Sequence, residues 1–294
     1  MAKVLLIGRG GQVATELVRR KPDWCQLEVA GRDTIDLINT DKIRPPIASS
    51  RADLIINAAA YTAVDKAEED SETAHLVNAI APGEIALGAA DIGAPIIHIS
   101  TDYVFNGEGK RPYSEGDATA PLGVYGRTKL AGEKAVASAT DKHLIVRTAW
   151  VYSAHGHNFV KSMLRLGEKH DRLTIVSDQL GSPTSASDLA DAIWTIAGRL
   201  SENPHEDDFG IVNIAGDDIA TWYDFARAVF AISEAYGGPR PEVVPILTED
   251  YPTPARRPAN SRLGLAKLEN HFGINMQPWR TALEEVLKEL HGVD

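Results

Sequence analysis

A doubly wound parallel α/β sheet followed by a smaller mixed α/β unit is the fold this sequence predicts, and three observations carry it. Short unbroken apolar runs, rich in β-branched residues, recur at Lys3–Ile7, Leu27–Ala30, Ala52–Asn57, Ile96–Ile99 and His143–Thr148. Such runs read as strands buried on both faces, as in a parallel sheet. Helical stretches separate them, which is the βαβ rhythm. The first run ends at once on Gly8-Arg9-Gly10-Gly11-Gln12-Val13-Ala14, a glycine turn opening a helix.

That turn is a phosphate-binding design. Glycines let the backbone approach a pyrophosphate, and the helix N-terminus offers free amides and a favourable dipole. Its position, straight after the first strand, favours a Rossmann-type dinucleotide site over an ordinary tight turn. The second strand ends on Gly31-Arg32-Asp33, with Asp36 close behind. An acid there suits the ribose of NAD, and an arginine the 2′-phosphate of NADP. Both are present; Arg32 tips the expectation to NADPH, with NADH left open. Ala58-Ala59-Ala60 after the next strand leaves room for a flat ligand on the backbone.

After Glu68 a long helix is expected to about Ile92, with Asn78 inside it. The strand Ile96–Ile99 emerges on Ser100-Thr101-Asp102, where an open sheet binds ligands. Gly123-Val124-Tyr125-Gly126-Arg127-Thr128-Lys129 then opens another helix. Tyr125 and Lys129, four apart, share a face. An ammonium beside a phenol lowers its pKa from about 10, fitting it for proton exchange with a substrate oxygen. Thr101 adds a second hydrogen bond to that oxygen. As a chance pairing, the two would be an exposed helix pair contributing at most ~0.5 kcal/mol.

After Trp150 the rhythm changes. Helices are expected at Asn158–Gly167, Asp188–Arg199, Thr221–Tyr236 and from Pro278-Trp279 to about Leu290, with short strands at Leu173–Val176, Ile211–Ile214 and Val243–Ile246. Ser201–Asp208 reads as a solvated loop, and the proline-rich Tyr251–Pro258 excludes regular structure. The expected division is a dinucleotide-binding domain over 1–150 plus the helix near 185–200, interleaved with a substrate-binding domain over 151–184 and 201–294.

The bulk numbers narrow the function classes. The 294 residues are 44% hydrophobic and 24% charged, as in ordinary globular chains. A net charge of −11 argues against nucleic acid or an anionic membrane as partner. The single cysteine, Cys25, permits no intrachain disulfide. No apolar stretch approaches the ~20 residues of a membrane span, and no signal peptide is evident, so the expected location is the cytoplasm. The sequence leaves a homodimer open.

The run Ser100-Thr101-Asp102-Tyr103-Val104-Phe105, with Tyr125-Gly126-Arg127-Thr128-Lys129, Arg147-Thr148-x-Trp150-Val151-Tyr152, Asp178-Gln179-x-Gly181-x-Pro183-Thr184 and Tyr251-Pro252-Thr253-Pro254-Ala255-x-Arg257-Pro258, resembles the dTDP-4-dehydrorhamnose reductases, extended members of the short-chain dehydrogenase/reductase superfamily. The likeness spans nearly the whole chain. It implies reduction of a C4 ketone on a dTDP sugar by NADPH or NADH. It implies Tyr125 as proton donor, Lys129 holding the nicotinamide ribose and Thr101 polarising the carbonyl. It assigns Gly8, Gly10, Gly11, Gln12, Val13, Arg32, Asp36, Leu37, Ala58, Ala59 and Ala60 to the cofactor, together with Tyr125 and Lys129. Thr62, Val64, Thr101, Asp102, Tyr103, Tyr125, Trp150 and Arg257 fall to the substrate, and Arg262 is a further candidate for its diphosphate. Some relatives carry a metal on acidic residues at a dimer contact. Here Glu16 is present but Ser187 stands at the second position, so no metal is expected; His155-Gly156-His157 reads as a polar loop. Two rivals remain: a sugar-nucleotide epimerase or dehydratase of the same superfamily, and a non-catalytic regulatory subunit. Asp102-Tyr103, where the dehydratases carry Asp-Glu, disfavours dehydration.

Overall fold

In the computed structural model, which describes residues 1–293, strand and helix alternate through the first half. β1 (Ala2–Ile7) leads to α1 (Gln12–Arg19), and β2 (Cys25–Ala30) to α2 (Arg44–Ser50). β3 (Leu54–Asn57) is followed by α3 (Val64–Ala67), α4 (Ser71–His75), a π turn (Leu76–Ile80) and α5 (Ala81–Asp91). β4 (Ile96–Thr101), α6 (Val124–Ala139) and β5 (His143–Thr148) complete this half. Then come β6 (Val151–Tyr152), α7 (Phe159–Gly167), β7 (Arg172–Val176), β8 (Leu180–Gly181), β9 (Thr184–Ser185) and α8 (Ala186–Glu202). The last third holds β10 (Gly210–Asn213), β11 (Ala220–Thr221), α9 (Trp222–Ser233), β12 (Glu242–Ile246), α10 (Ala266–Phe272) and α11 (Trp279–His291).

Six strands pair in parallel in the order β10-β5-β4-β3-β1-β2. The chain leaves β1 for β2 on one side and returns to β3 on the other. The crevice beyond the carboxyl ends of β1 and β3 is therefore the topological switch point where such sheets bind ligands. Each face is covered. Leu17 of α1 and Leu189, Ile193 and Ile196 of α8 bury one side with Val4, Leu6 and Ile56. Ile47 of α2, Ile85 of α5 and Val136 of α6 bury the other with Leu5, Ile7 and Ile55. A separate cluster of Tyr152, Val160, Phe225, Trp279 and Leu283 forms the core of the C-terminal unit.

Three expectations need correction. The strand near Ile211–Ile214 does not belong to the C-terminal unit; as β10 it pairs with β5 and closes the main sheet, and Leu268 of α10 joins the same core. By contrast, the long helix expected after Glu68 runs unbroken from Ser71 to Asp91 as α4, the π turn and α5, with Asn78 inside it. Ser201–Asp208 is not simply solvated: Asp208 is fully buried, bonded to Arg199 at 2.6 Å and His271 at 2.8 Å. Nor is His155 an isolated loop residue. Its Nε2 lies 3.3 Å from Glu16 and 3.4 Å from Glu289. The Arg19 guanidinium stands among the three, donating to Glu16 at 3.1 Å and to Glu289 at 2.8 Å.

Candidate active site

The glycine turn is shaped for close backbone approach. Gly8 has φ +125°, and a Cβ there would sit 3.2 Å from the Ala58 backbone. Gly10, at φ +79°, has open space where a side chain would go. Gly11 caps α1 without a side-chain hydrogen bond, so the first amides of the helix stay free toward the crevice. A dinucleotide pyrophosphate fits this cradle. A Gly8→Val variant, placing a β-branched side chain at positive φ, is expected to keep its circular dichroism spectrum. Its dinucleotide binding, read by fluorescence titration, should weaken at least about tenfold, or about 1.4 kcal/mol.

At the end of β2, Arg9 and Asp33 pair at 3.1 Å, which takes Asp33 out of competition for a ribose. The Arg32 side chain is 78% exposed and reaches only 3.7 Å from Asp36. It is a guanidinium with spare donors on the rim, beside Asp36 and Leu37.

β4 and α6 place the chemistry. β4 ends in extended backbone at Thr101, where the chain turns into a short 3-10 helix, Asp102–Val104. Gly126 lets α6 lie directly on this turn; any Cβ there would collide with the Tyr103 carbonyl. Glu68 secures the start of α6 by accepting the Val124 amide at 2.7 Å, a favourable place for a carboxylate. Tyr125 and Lys129 then follow on one face, both lining the cleft with Thr101, Asp102 and Tyr103. The rings of Tyr103 and Tyr125 meet edge to face at 5.5 Å.

The electrostatics differ from the sequence expectation. The Tyr125 phenol lies above its ordinary value, not below it. Burial pushes the phenol up to about 12, against the pull of the Thr101 hydroxyl and with a further push from Asp102. Lys129 itself is buried, and its Nζ donates to the Ile99 carbonyl at 2.7 Å. Burial lowers it to about 8, opposed by Glu133. The Thr101 hydroxyl donates to Asp102 Oδ1 at 2.9 Å and accepts the Tyr103 amide at 3.3 Å. A substrate carbonyl must therefore compete with Asp102 for its proton. Burial, opposed by the Ser261 and Thr101 hydroxyls, raises the Asp102 carboxyl to about 6.

The far side of the cleft comes from the C-terminal unit. Trp150 has φ +48°, costly for a bulky residue. It is stacked at 3.5 Å on Trp222 of α9. Arg257, from the irregular proline-rich loop, forks onto Asp65 at 3.1 and 2.7 Å, and Asp65 also accepts the Ala255 amide at 3.2 Å. This pair, unforeseen in the sequence, ties the loop to α3. Arg262 is not on the cleft. It is turned to Asn260 Oδ1 and the Lys110 carbonyl, both at 2.7 Å, so it offers nothing to a diphosphate.

The cleft gathers every other candidate: Gly8 to Val13, Arg32, Asp36, Leu37, Ala58 to Ala60, Thr62, Val64, Thr101 to Tyr103, Tyr125, Lys129, Trp150 and Arg257. Its volume, about 1690 Å³, exceeds the roughly 300–1,000 Å³ of a single small-ligand site. It has room for two nucleotide-sized ligands. Sequence reasoning missed Asn57 and His98, both fully buried behind Lys129. A histidine inside an otherwise apolar strand was the available signal.

A glycine turn at the switch point and a Thr–Tyr–Lys set in the same cleft define a dinucleotide-dependent oxidoreductase of the short-chain type. A family model described as the RmlD substrate binding domain matches residues 2–291. The chain is 44% identical over 286 residues to a dTDP-4-dehydrorhamnose reductase of Sinorhizobium fredii, covering 97% of this chain and 96% of that one. It is 44% identical over 295 residues to the enzyme of the same name from Escherichia coli K12, covering 98% and 97%. A solved dTDP-4-dehydrorhamnose reductase from Bacillus anthracis in complex with NADP superposes with a TM-score of 0.91 at 31% identity, covering 98% and 99%. A Thermus thermophilus UDP-glucose 4-epimerase in complex with NAD shares the fold at TM-score 0.81 but only 18% identity. The chain belongs to the dTDP-4-dehydrorhamnose reductase family.

Proposed function

We propose that this protein reduces the C4 ketone of dTDP-4-dehydro-β-L-rhamnose to dTDP-β-L-rhamnose with NADPH. The observation that carries the reading is the placement of Thr101, Tyr125 and Lys129 in one cleft with the Gly8–Val13 turn. When bound, NADPH supplies the hydride; the turn, Ala58 to Ala60, Arg32 and Lys129 would hold it. Thr101 polarises the ketone oxygen, and Tyr125 delivers a proton to the same atom as negative charge develops. A phenol pushed up to about 12 holds its proton at neutral pH, yet a developing alkoxide is basic enough to take it. Trp150 walls the sugar. Arg257 suits the diphosphate through the guanidinium N–H groups that its fork onto Asp65 leaves free. The substrate-binding lobe in this reading comprises β6 to β9, α7, α9, β12, α11 and the proline-rich loop. No metal enters the chemistry. Among the described residues no helix is long and apolar enough to cross a membrane, and we place the protein in the cytoplasm.

The test follows reduced-nicotinamide absorbance with purified protein and enzymatically generated dTDP-4-dehydro-L-rhamnose. One equivalent of NADPH consumed per sugar is expected. Folded protein that binds NADPH but consumes none would return the reading to an epimerase or a binding subunit. Arg32 decides the cofactor. Arg32→Ala is expected to cut the preference for NADPH over NADH about tenfold or more, the worth of one charge-assisted hydrogen bond, as read from kcat/KM with each.

A further inference from the structure

Behind Lys129 lies a buried pair that the reaction as described does not use. Asn57 on β3 and His98 on β4 are register partners in adjacent strands, both with no exposed surface. Asn57 Oδ1 accepts the Ala59 amide at 3.2 Å, which fixes the orientation of the carboxamide. Its Nδ2 therefore faces His98 Nδ1 at 3.0 Å as a donor. A nitrogen that accepts carries no proton. Burial, helped by the neighbouring Lys129 charge, holds the imidazole neutral, well below its ordinary range. Its one proton must then sit on Nε2, which points at Lys129 Nζ from 3.5 Å. That separation exceeds the 2.7 Å from Nζ to the Ile99 carbonyl, as expected when two donors face each other.

We propose that His98 is a positioning residue for the reduction: locked in its Nε2–H tautomer by Asn57, it turns an N–H dipole on Lys129 and so sets the pH at which that lysine loses its proton. The inference rests on the reductase reading. The positive end of the dipole disfavours the ammonium and can bond only to the neutral amine. It acts in the same direction as burial, which already lowers Lys129 from its ordinary 10.5 to about 8. The titratable groups facing Lys129 are His98 from β4, Tyr125 and Glu133 from its own helix, and Arg147 from β5 through its pairing with Glu133. The π turn presents Asn78, which does not titrate, and Asp102 bears on Tyr125. With a protonated Lys129 needed to support Tyr125, the rate falls as pH rises through the lysine value.

The experiment is the pH profile of kcat for the wild type, His98→Gln and Asn57→Ala. Glutamine can present its amide oxygen to the ammonium; removing the Asn57 carboxamide frees the imidazole to turn its acceptor nitrogen there. Both variants should move the alkaline limb upward by about one pH unit. NADPH affinity, and KM for the sugar below the limb, should stay within about twofold. A purely structural role would lower kcat at every pH and leave the limb in place, and that result overturns the proposal. Should neither variant fold, ring-nitrogen NMR on the wild-type protein decides instead: a neutral Nε2–H His98 is expected, and an Nδ1–H or charged ring overturns the proposal. A wild type that shows no reduction at all would sink the reductase reading, while the tautomer measurement would still report on His98.

Discussion

Tyr125→Phe is expected to lose about a hundred- to ten-thousandfold in kcat, the usual worth of a positioned general acid, while binding NADPH within about twofold of the wild type. The change removes one oxygen and keeps the ring that meets Tyr103 at 5.5 Å, so packing is preserved. Thr101 remains to polarise the ketone, which is why the loss is not total. Steady-state rates beside a fluorescence titration separate the outcomes. A near-wild-type rate would remove Tyr125 as proton donor. A matched loss of NADPH affinity would make it a binding residue instead. In the wild type the high phenol value keeps the proton on Tyr125 throughout the neutral range, so its own ionisation should not limit the rate there; the alkaline limit falls to Lys129, lowered to about 8.

The parallel sheet was legible because its strands are buried on both faces and so carry unbroken apolar runs. The glycine turn was legible because only glycine fits at Gly8, with φ +125° and the Ala58 backbone against it. Tyr125 and Lys129 were paired correctly as neighbours on one helical face. Where the lysine Nζ points was not legible. Its Nζ goes to the Ile99 carbonyl and toward His98, contacts that require β4 to lie under α6. The long helix after Glu68 was legible, but the π turn inside it was not. Asn78 in that turn pairs with the Tyr61 backbone at 2.8 and 3.0 Å, a contact across 17 residues that no local pattern encodes. β10 was read as a strand but placed in the wrong unit, because pairing with β5 is a tertiary choice that four residues do not encode. Asp65 and Arg257 stand 192 residues apart in the chain, and no local pattern links them.

The largest stability effect is expected at a buried ion pair beneath the catalytic strand. Glu133 of α6 and Arg147 of β5 are joined by two hydrogen bonds, 3.0 Å from Nε and 2.7 Å from Nη2. Their side chains are 4% and 3% exposed. Ser100 donates to Glu133 at 2.6 Å, and Arg147 reaches the Glu115 carbonyl at 3.2 Å and lies over the Phe105 ring. The Glu133 contacts tie α6, and with it Tyr125 and Lys129, to the ends of β4 and β5. Glu133→Ala leaves a guanidinium buried without its partner, a defect of about 3–5 kcal/mol, measured as lost unfolding free energy in urea. The pair itself is a different matter, because both desolvation costs vanish when both charges go. Glu133→Leu with Arg147→Met should therefore be less destabilised than either single variant. Should the double variant be the least stable, the pair adds net stability rather than only holding α6 in register. Its activity then separates stability from geometry: if the apolar replacement is folded but turns over slowly, the charges serve to hold Tyr125 and Lys129 where β4 can reach them.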